Sequence, residues 1–405
     1  MSSHSHEEKV PEQTPTLPNR ILLVGPPIIA HDFVFPMLNL PQQPNVIEVQ
    51  AKFYSFLRRA HSKTIYRAHV KSNTSPESWT YDEKQSIKAA FQHDFDKLDN
   101  HAVKAEASGK TLVAHTVSTW LVNPAAQFRK PYVANPESQR ALEAFFRVDV
   151  PREYAHRHPV PEHPFWLVNP ASLLENRPAR VGSAIRSGQL DAYRINPSEG
   201  GGGGGGSASQ RGFFSFSPFN ETVIADQYLR TWRMVLVIQH PVFSFYEVAR
   251  TRIVQLALQK ATINAWELQN ILGAETTFRW TRMLYDFCVS QSTSGMAAPL
   301  IVDIGDVVRS PEEMLARLCR ELGLDYGVAK PRVCDAHLET DRTLHPSRLA
   351  VYDLIREGKI GLDDLIAGES QRWVRDFGPR PARITETLVR EGMSDYEYLY
   401  ARRMQ

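Results

Sequence analysis

Four apolar runs, "RILLV" (20–24), "TLVAH" (111–115), "MVLVIQ" (234–239) and "PLIVDI" (299–304), are spread along a chain of 405 residues. Each is continuous rather than alternating, and Leu, Val and Ile dominate. That pattern belongs to strands covered on both faces, as in the interior of a parallel sheet. Parallel neighbours need long crossovers, and the segments between the runs are long and carry helical spacing, as from Ser86 to Leu98. The expected fold is therefore α/β, with a central parallel sheet flanked by helices.

The clearest helix is "SPEEMLARLCRELG", with Ser310 as N-cap, Pro311 at the first helical position and Glu313 completing a capping box. Met314, Leu315, Leu318 and Leu322 form its apolar stripe, and Gly323 supplies the stop. A second box, Ser394 with Glu397, is expected to open the terminal helix. Between Pro151 and Phe219 the composition shifts to Pro, His and Arg and includes the glycine run Gly200 to Gly206. Such a stretch buries too little apolar surface to offset its ordering entropy. The expected organisation is a disordered tail (1–19) and a single domain (20–405) carrying an insertion (151–219) disordered around its glycines.

Net charge is +2 and the charged fraction 23%, so no basic field recommends a nucleic acid or a membrane surface as partner. Three cysteines, Cys288, Cys319 and Cys334, are too few for a disulfide frame and contain no CxxC pair, which points to a reducing compartment. Residues 1–19 have no apolar core of the kind a signal peptide needs, and no run of about 18 apolar residues occurs. The expectation is a cytoplasmic protein whose partner is a small molecule, with the oligomeric state open.

After the first strand the chain reads Gly25-Pro26-Pro27-Ile28-Ile29-Ala30-His31-Asp32. A strand, a turn and a helix start in this order are how anion-binding loops are built, because free N–H groups and the helix dipole favour negative charge. Here two prolines remove donors, two isoleucines replace cationic or hydroxyl side chains, and Asp32 repels an anion. His31 is the one source of positive charge, and it is partial at neutral pH.

Taken together with "FNETVIADQYLRTWRMVLVIQHPVFSFYEVART" (219–251), "PLIVDIGDVVRSPEEMLARLCRELGLDY" (299–326) and the ending "YEYLYARRM", this element resembles the fungal-type sulfotransferase-like proteins of the P-loop superfamily. The resemblance implies a sulfotransferase-like P-loop fold and a small-molecule enzyme of fungal specialised metabolism, acting on hydroxylated or polyketide-like substrates. In the family, a Pro-Arg-Thr/Ser-x-Ser loop holds the 5′-phosphosulfate of the donor PAPS. The matching positions are Pro27, Ile28, Ile29, Ala30 and His31, following Gly25. An Arg in an "IRHP"-like turn and a later Ser hold the donor's 3′-phosphate; here these are Gln239 and Ser244. A neutral amide does not replace the bidentate grip of guanidinium on phosphate. Both anion grips thus lack their cations.

The family's base is commonly a His after the strand that here reads "TLVAHTVSTWLVNPAAQF", which selects His115. His31 and Asp32 stand where α/β folds place ligands, and with His115 they would make a proton-transfer site for an uncharged substrate. The alternative is plainer: Asp32 an N-cap, His31 solvated, His115 a structural hydrogen-bonder. No metal is expected. His156, His158 and His163 fall in a proline-broken loop without ligand spacing, and Asp306 reads as a turn or capping residue. Phe33, Phe35, Trp120, Phe243 and Phe245 either line an apolar pocket or fill the core. Three functions stay open: a PAPS-dependent sulfotransferase, a PAPS-independent non-redox enzyme such as a cyclase, dehydratase or isomerase, and a non-catalytic binding protein in a biosynthetic complex.

Overall fold

The computed structural model describes residues 20–26, 34–49, 60–129, 135–157, 214–292, 296–331 and 346–404. Five strands, β1 (Arg20–Val24), β2 (Val46–Glu48), β3 (Thr111–Thr116), β4 (Arg233–Ile238) and β5 (Leu300–Asp303), form one sheet in the order β2-β3-β1-β4-β5. All four pairings are parallel. The four apolar runs are the four longer strands. β2 is short and half-buried at the sheet's edge, too brief for a periodicity argument to reveal.

The helices that matter here are α1 (Val34–Leu38), α2 (Tyr81–Ala107), α3 (Ser118–Leu121), α4 (Pro241–Leu258), α5 (Ala265–Glu275), α6 (Arg279–Ser290), α7 (Ile304–Arg309), α8 (Pro311–Leu322), α9 (Pro346–Arg356), α10 (Leu362–Phe377) and α11 (Pro379–Tyr400). They cover both faces of the sheet, and the strands sort their side chains with period two. Leu22, Val24, Leu112, Ala114, Met234, Leu236 and Ile238 point into a large core shared with α2, α4, α6 and α11. Ile21, Leu23, Val113, Val235, Val237 and Val302 point into a smaller one with α1 and α8. Each fully buried Leu or Val contributes about 1.5–3 kcal/mol relative to exposure, so strands apolar at every position are what a two-faced sheet selects.

Helix ends hold both confirmations and corrections. α8 begins at Pro311 and stops at Gly323, which has φ 67°, and its predicted stripe is buried. Ser310 precedes it, yet the Ser310 side chain makes no capping bond, so the capping box does not form. The second box is absent altogether: α11 runs unbroken from Pro379 to Tyr400, and Ser394 lies inside it. Its start is set by Gly378 and Pro379, where proline's missing N–H costs nothing. Asp303, not Asp306, caps α7, accepting from the Gly305 N–H at 2.8 Å. Asp306 instead accepts from Arg403 and Arg309. The edge of β5 is partly occupied, since the Met404 N–H donates to the Ile301 carbonyl at 2.9 Å. Cys288 and Cys319 are buried and free. Residues 158–213, with Gly200–Gly206, His158 and His163, lie outside the described residues.

At the opposite end of the strands, Arg20 is 1% exposed and ties the start of β1 to two helices. Its Nε and Nη2 donate to Glu106 at 3.0 and 2.7 Å, Nη2 also to the Tyr154 hydroxyl at 2.7 Å, and Nη1 to Thr231 at 3.2 Å. Tyr154 passes its own proton to Asp99 at 2.6 Å. Removing the guanidinium leaves the buried Tyr154 hydroxyl and the mostly buried Glu106 carboxylate without their donor. Arg20→Met is therefore expected to lower unfolding free energy by about 3 kcal/mol or more in an equilibrium urea titration. A loss below about 1 kcal/mol, the scale of an exposed ion pair, would contradict the role given to Arg20.

Candidate active site

The chain leaves β1 toward β2 on one side and leaves β4 toward β5 on the other, so the direction of travel reverses between β1 and β4 and a crevice opens at their carboxyl ends. In doubly wound sheets this switch point is where ligands bind. The ends here are Val24 and Gly25, Thr116 and Val117, and Ile238 and Gln239, with the Gly25 N–H bonded to the Thr116 carbonyl at 3.2 Å. Above them is a small cleft, with about 10 Å³ open to the centre of a water-sized molecule, lined by Pro26, Val117, Ser118, Thr119, Phe245, Val248, Glu275, Thr277, Phe278 and Thr281.

One wall is aromatic: the rings of Phe245 and Phe278 stack at 5.5 Å with 21° between their planes. Another is hydroxylic, where Thr281 donates to the Ser118 Oγ at 3.0 Å. Thr119 and Thr277 add two more hydroxyls. The one carboxylate among the described lining residues, Glu275, is engaged by Arg252 through Nε at 3.1 Å and through Nη2. Among the described residues no Lys or Arg lines the cleft. Such a surface offers hydrogen-bonding hydroxyls beside an apolar face.

The end of β4 is closed. Gln239 is fully buried, and its Nε2 donates to the Tyr352 hydroxyl of α9 at 2.8 Å, while its Oε1 has no partner among the described residues. Tyr352 packs so closely on Gly305 that a side chain there would come within 2.7 Å of its ring. Ser244 is equally buried, its hydroxyl donating to the backbone oxygens of Gln239 and His240 at 3.4 Å each. The first turn of α4 has no free N–H for an anion: Pro241 has none, Val242 donates to His240 Nδ1 at 3.3 Å, and Phe243 and Ser244 bond to the His240 carbonyl. These residues do not fit a 3′-phosphate. A phosphate here would meet a neutral amide, a phenol and a helix start whose donors are spent.

Next to it, Asp303 ends β5 and accepts from Tyr396 of α11 at 3.1 Å. Burial, then the neighbouring Asp306 charge, raises its carboxyl to about 7. The Tyr396 ring meets that of His240 edge-on at 5.2 Å. Burial pushes His240 down to about 4, so it is a neutral acceptor and not a cation.

His115 is 3% exposed and pairs in register with Leu23 on the face of Val113, toward α1 and α8 rather than the cleft. Burial lowers its pKa to about 4. Of the donor-loop candidates only Gly25 is described; Pro27, Ile28, Ile29, Ala30, His31 and Asp32 lie outside the described residues, as does Phe33. Gln239 and Ser244 are close to each other but do not line the cleft. Phe243 is core, whereas Phe245 both packs in the core and walls the cleft. Sequence reasoning missed Ser118, Thr281 and Phe278. Ser118 had a usable signal, being the first hydroxyl past the end of β3. Phe278 and Thr281 arrive from a distant helix and had none. Among the described residues no group of His, Cys, Asp and Glu could hold a metal ion, and no helix is long and apolar enough to cross a membrane.

A five-stranded, all-parallel sheet flanked by helices makes this an α/β protein, and the sheet is consistent with the sulfotransferase fold. Comparison with known proteins agrees. The chain is 24% identical over 413 residues to the sulfotransferase ppzF of Metarhizium rileyi, covering 96% of this chain and 98% of that protein. It is 24% identical over 408 residues to the sulfotransferase ppzF of Metarhizium majus, covering 96% and 97%. The chain is thus a distant, full-length homologue of fungal sulfotransferases. No family profile and no solved structure matches it.

The two neutral histidines make stability fall in acid. Unfolded, each takes up a proton near pH 6.5; folded, each stays neutral to about pH 4. In that window the unfolded chain binds more protons, so each histidine removes about 1 kcal/mol of stability per pH unit as pH falls. Asp303 works in the opposite sense, since its raised pKa makes the fold the better proton acceptor between 3.8 and about 7. Substitution isolates the histidines from it. In urea titrations from pH 6.5 to 4.5, His240→Gln should show a shallower loss than the native chain, and an equal slope would contradict the assignment.

Proposed function

We propose that this chain is a small-molecule enzyme on the sulfotransferase scaffold, plausible for fungal specialised metabolism, that binds an uncharged hydroxyl-bearing substrate in the cleft over β1 and β3 without a nucleotide 3′-phosphate grip. The observation that carries this reading is the Gln239–Tyr352 contact: the position that resembles the family's phosphate-holding Arg is a buried amide bonded to a phenol. One lost charge-assisted hydrogen bond weakens binding by about 1.5–3 kcal/mol, and guanidinium normally supplies two. The hydroxyl pair Ser118–Thr281 orients a substrate hydroxyl or carbonyl, while Phe245 and Phe278 take its apolar part. His115, facing the other side of the sheet, has no role in this reading.

A second reading, sulfuryl transfer from PAPS, is favoured by the match to proteins named sulfotransferase along nearly their whole length. Calorimetric titration separates the two. Adenosine 3′,5′-bisphosphate is expected to give no binding heat at millimolar concentration. The neutral probe 2-naphthol is expected to bind, about tenfold more weakly after Thr281→Val removes a hydrogen-bonding group. Micromolar binding of the bisphosphate would overturn the first reading in favour of the second.

A further inference from the structure

On the reading that the cleft is the substrate site, we propose that Gly392 and Phe245 together set the size of molecule it admits. Gly392 lies inside α11, where glycine costs about 1 kcal/mol relative to alanine. A Cβ at 392 would stand 2.6 Å from Cε2 and 2.8 Å from Cζ of Phe245, closer than carbon atoms pack. The tip of the Phe245 ring therefore occupies the notch left by the missing side chain.

Phe245 is 3% exposed, and what surrounds it restricts where it can go. Its tip meets α11, and the ring is stacked on Phe278, which is backed by Tyr396 at 5.8 Å. The ring also lines the cleft. The ring is thus recessed toward α11 and out of the cleft because residue 392 has no side chain. Any side chain there drives the ring toward the Ser118–Thr281 hydroxyls, and loss of the ring deepens the cleft toward α11. The ligand this wall suits is a flat, neutral ring system with a hydroxyl or carbonyl at its far end.

Phenol, 2-naphthol and 2-anthrol form a size series that tests this in the full-length chain. Phe245→Ala is expected to raise affinity for 2-anthrol about tenfold over its effect on phenol, and Gly392→Ala to weaken 2-naphthol and 2-anthrol about tenfold. In the Phe245→Ala background, Gly392→Ala should lose most of its effect because no ring remains to be displaced. An equal weakening in both backgrounds would mean that Gly392 serves only helix packing and would overturn the proposal. Should the native chain bind none of the three, the substrate class fails on its own. A crystal structure of Gly392→Ala then decides this inference: a Phe245 ring moved into the cleft supports it, and a ring in place with α11 displaced refutes it.

Discussion

The pairing of β1 with β3 on one side and β4 on the other is the constraint on which the rest of the molecule depends. Because both ladders are parallel, each crossover must travel the length of the sheet, and the helices it carries are laid on both faces. The same pairing gathers the ends of three strands, far apart in sequence, around one crevice. Arg20 fixes the other end of β1 by joining it to α2 and to the helix at 153–157. One strand thus holds a buried cation at its start and, among the described residues, a crevice lined by none at its finish.

Chemistry at the two sides of that crevice diverges. Over β1 and β3 hydroxyls and aromatic rings face a cleft. Over β4 and β5 the strand ends are closed by α9 and α11 through Tyr352 and Tyr396, which bond to Gln239 and Asp303. Every group in this closure is neutral, or held toward its neutral form by burial, and so it is compatible with a dry interior. An anion site cannot be built that way, because it needs donors left unpaired until the ligand arrives. The donors at the end of β4 are instead bonded internally, to the Tyr352 hydroxyl and to His240.

Much of this was legible in the sequence because it depends on local pattern. Continuous apolar runs gave the four long strands, and Pro311 and Gly323 marked the ends of α8. Resemblance to the family's phosphate-holding turn is what drew attention to Gln239. What the pattern could not show was geometry across distance. Ser394 with Glu397 has the spacing of a capping box, but the preceding residues from Pro379 already form helix, and a continuous helix overrides a local start signal. His115 follows from its place on the strand, yet period-two alternation turns it away from the cleft. Phe278, Thr281 and Gly392 act through partners 30 or more residues away, so no window of sequence connects them to Phe245 or Ser118.

The central claim is that a sulfotransferase scaffold has been kept here without its donor grip. The most direct measurement is the formation of adenosine 3′,5′-bisphosphate from PAPS by the purified full-length chain, with and without neutral aromatic alcohols as acceptors. Formation at the rate seen without protein is the predicted result. Acceptor-dependent formation above that rate would contradict the account and show that groups other than Gln239 hold the donor.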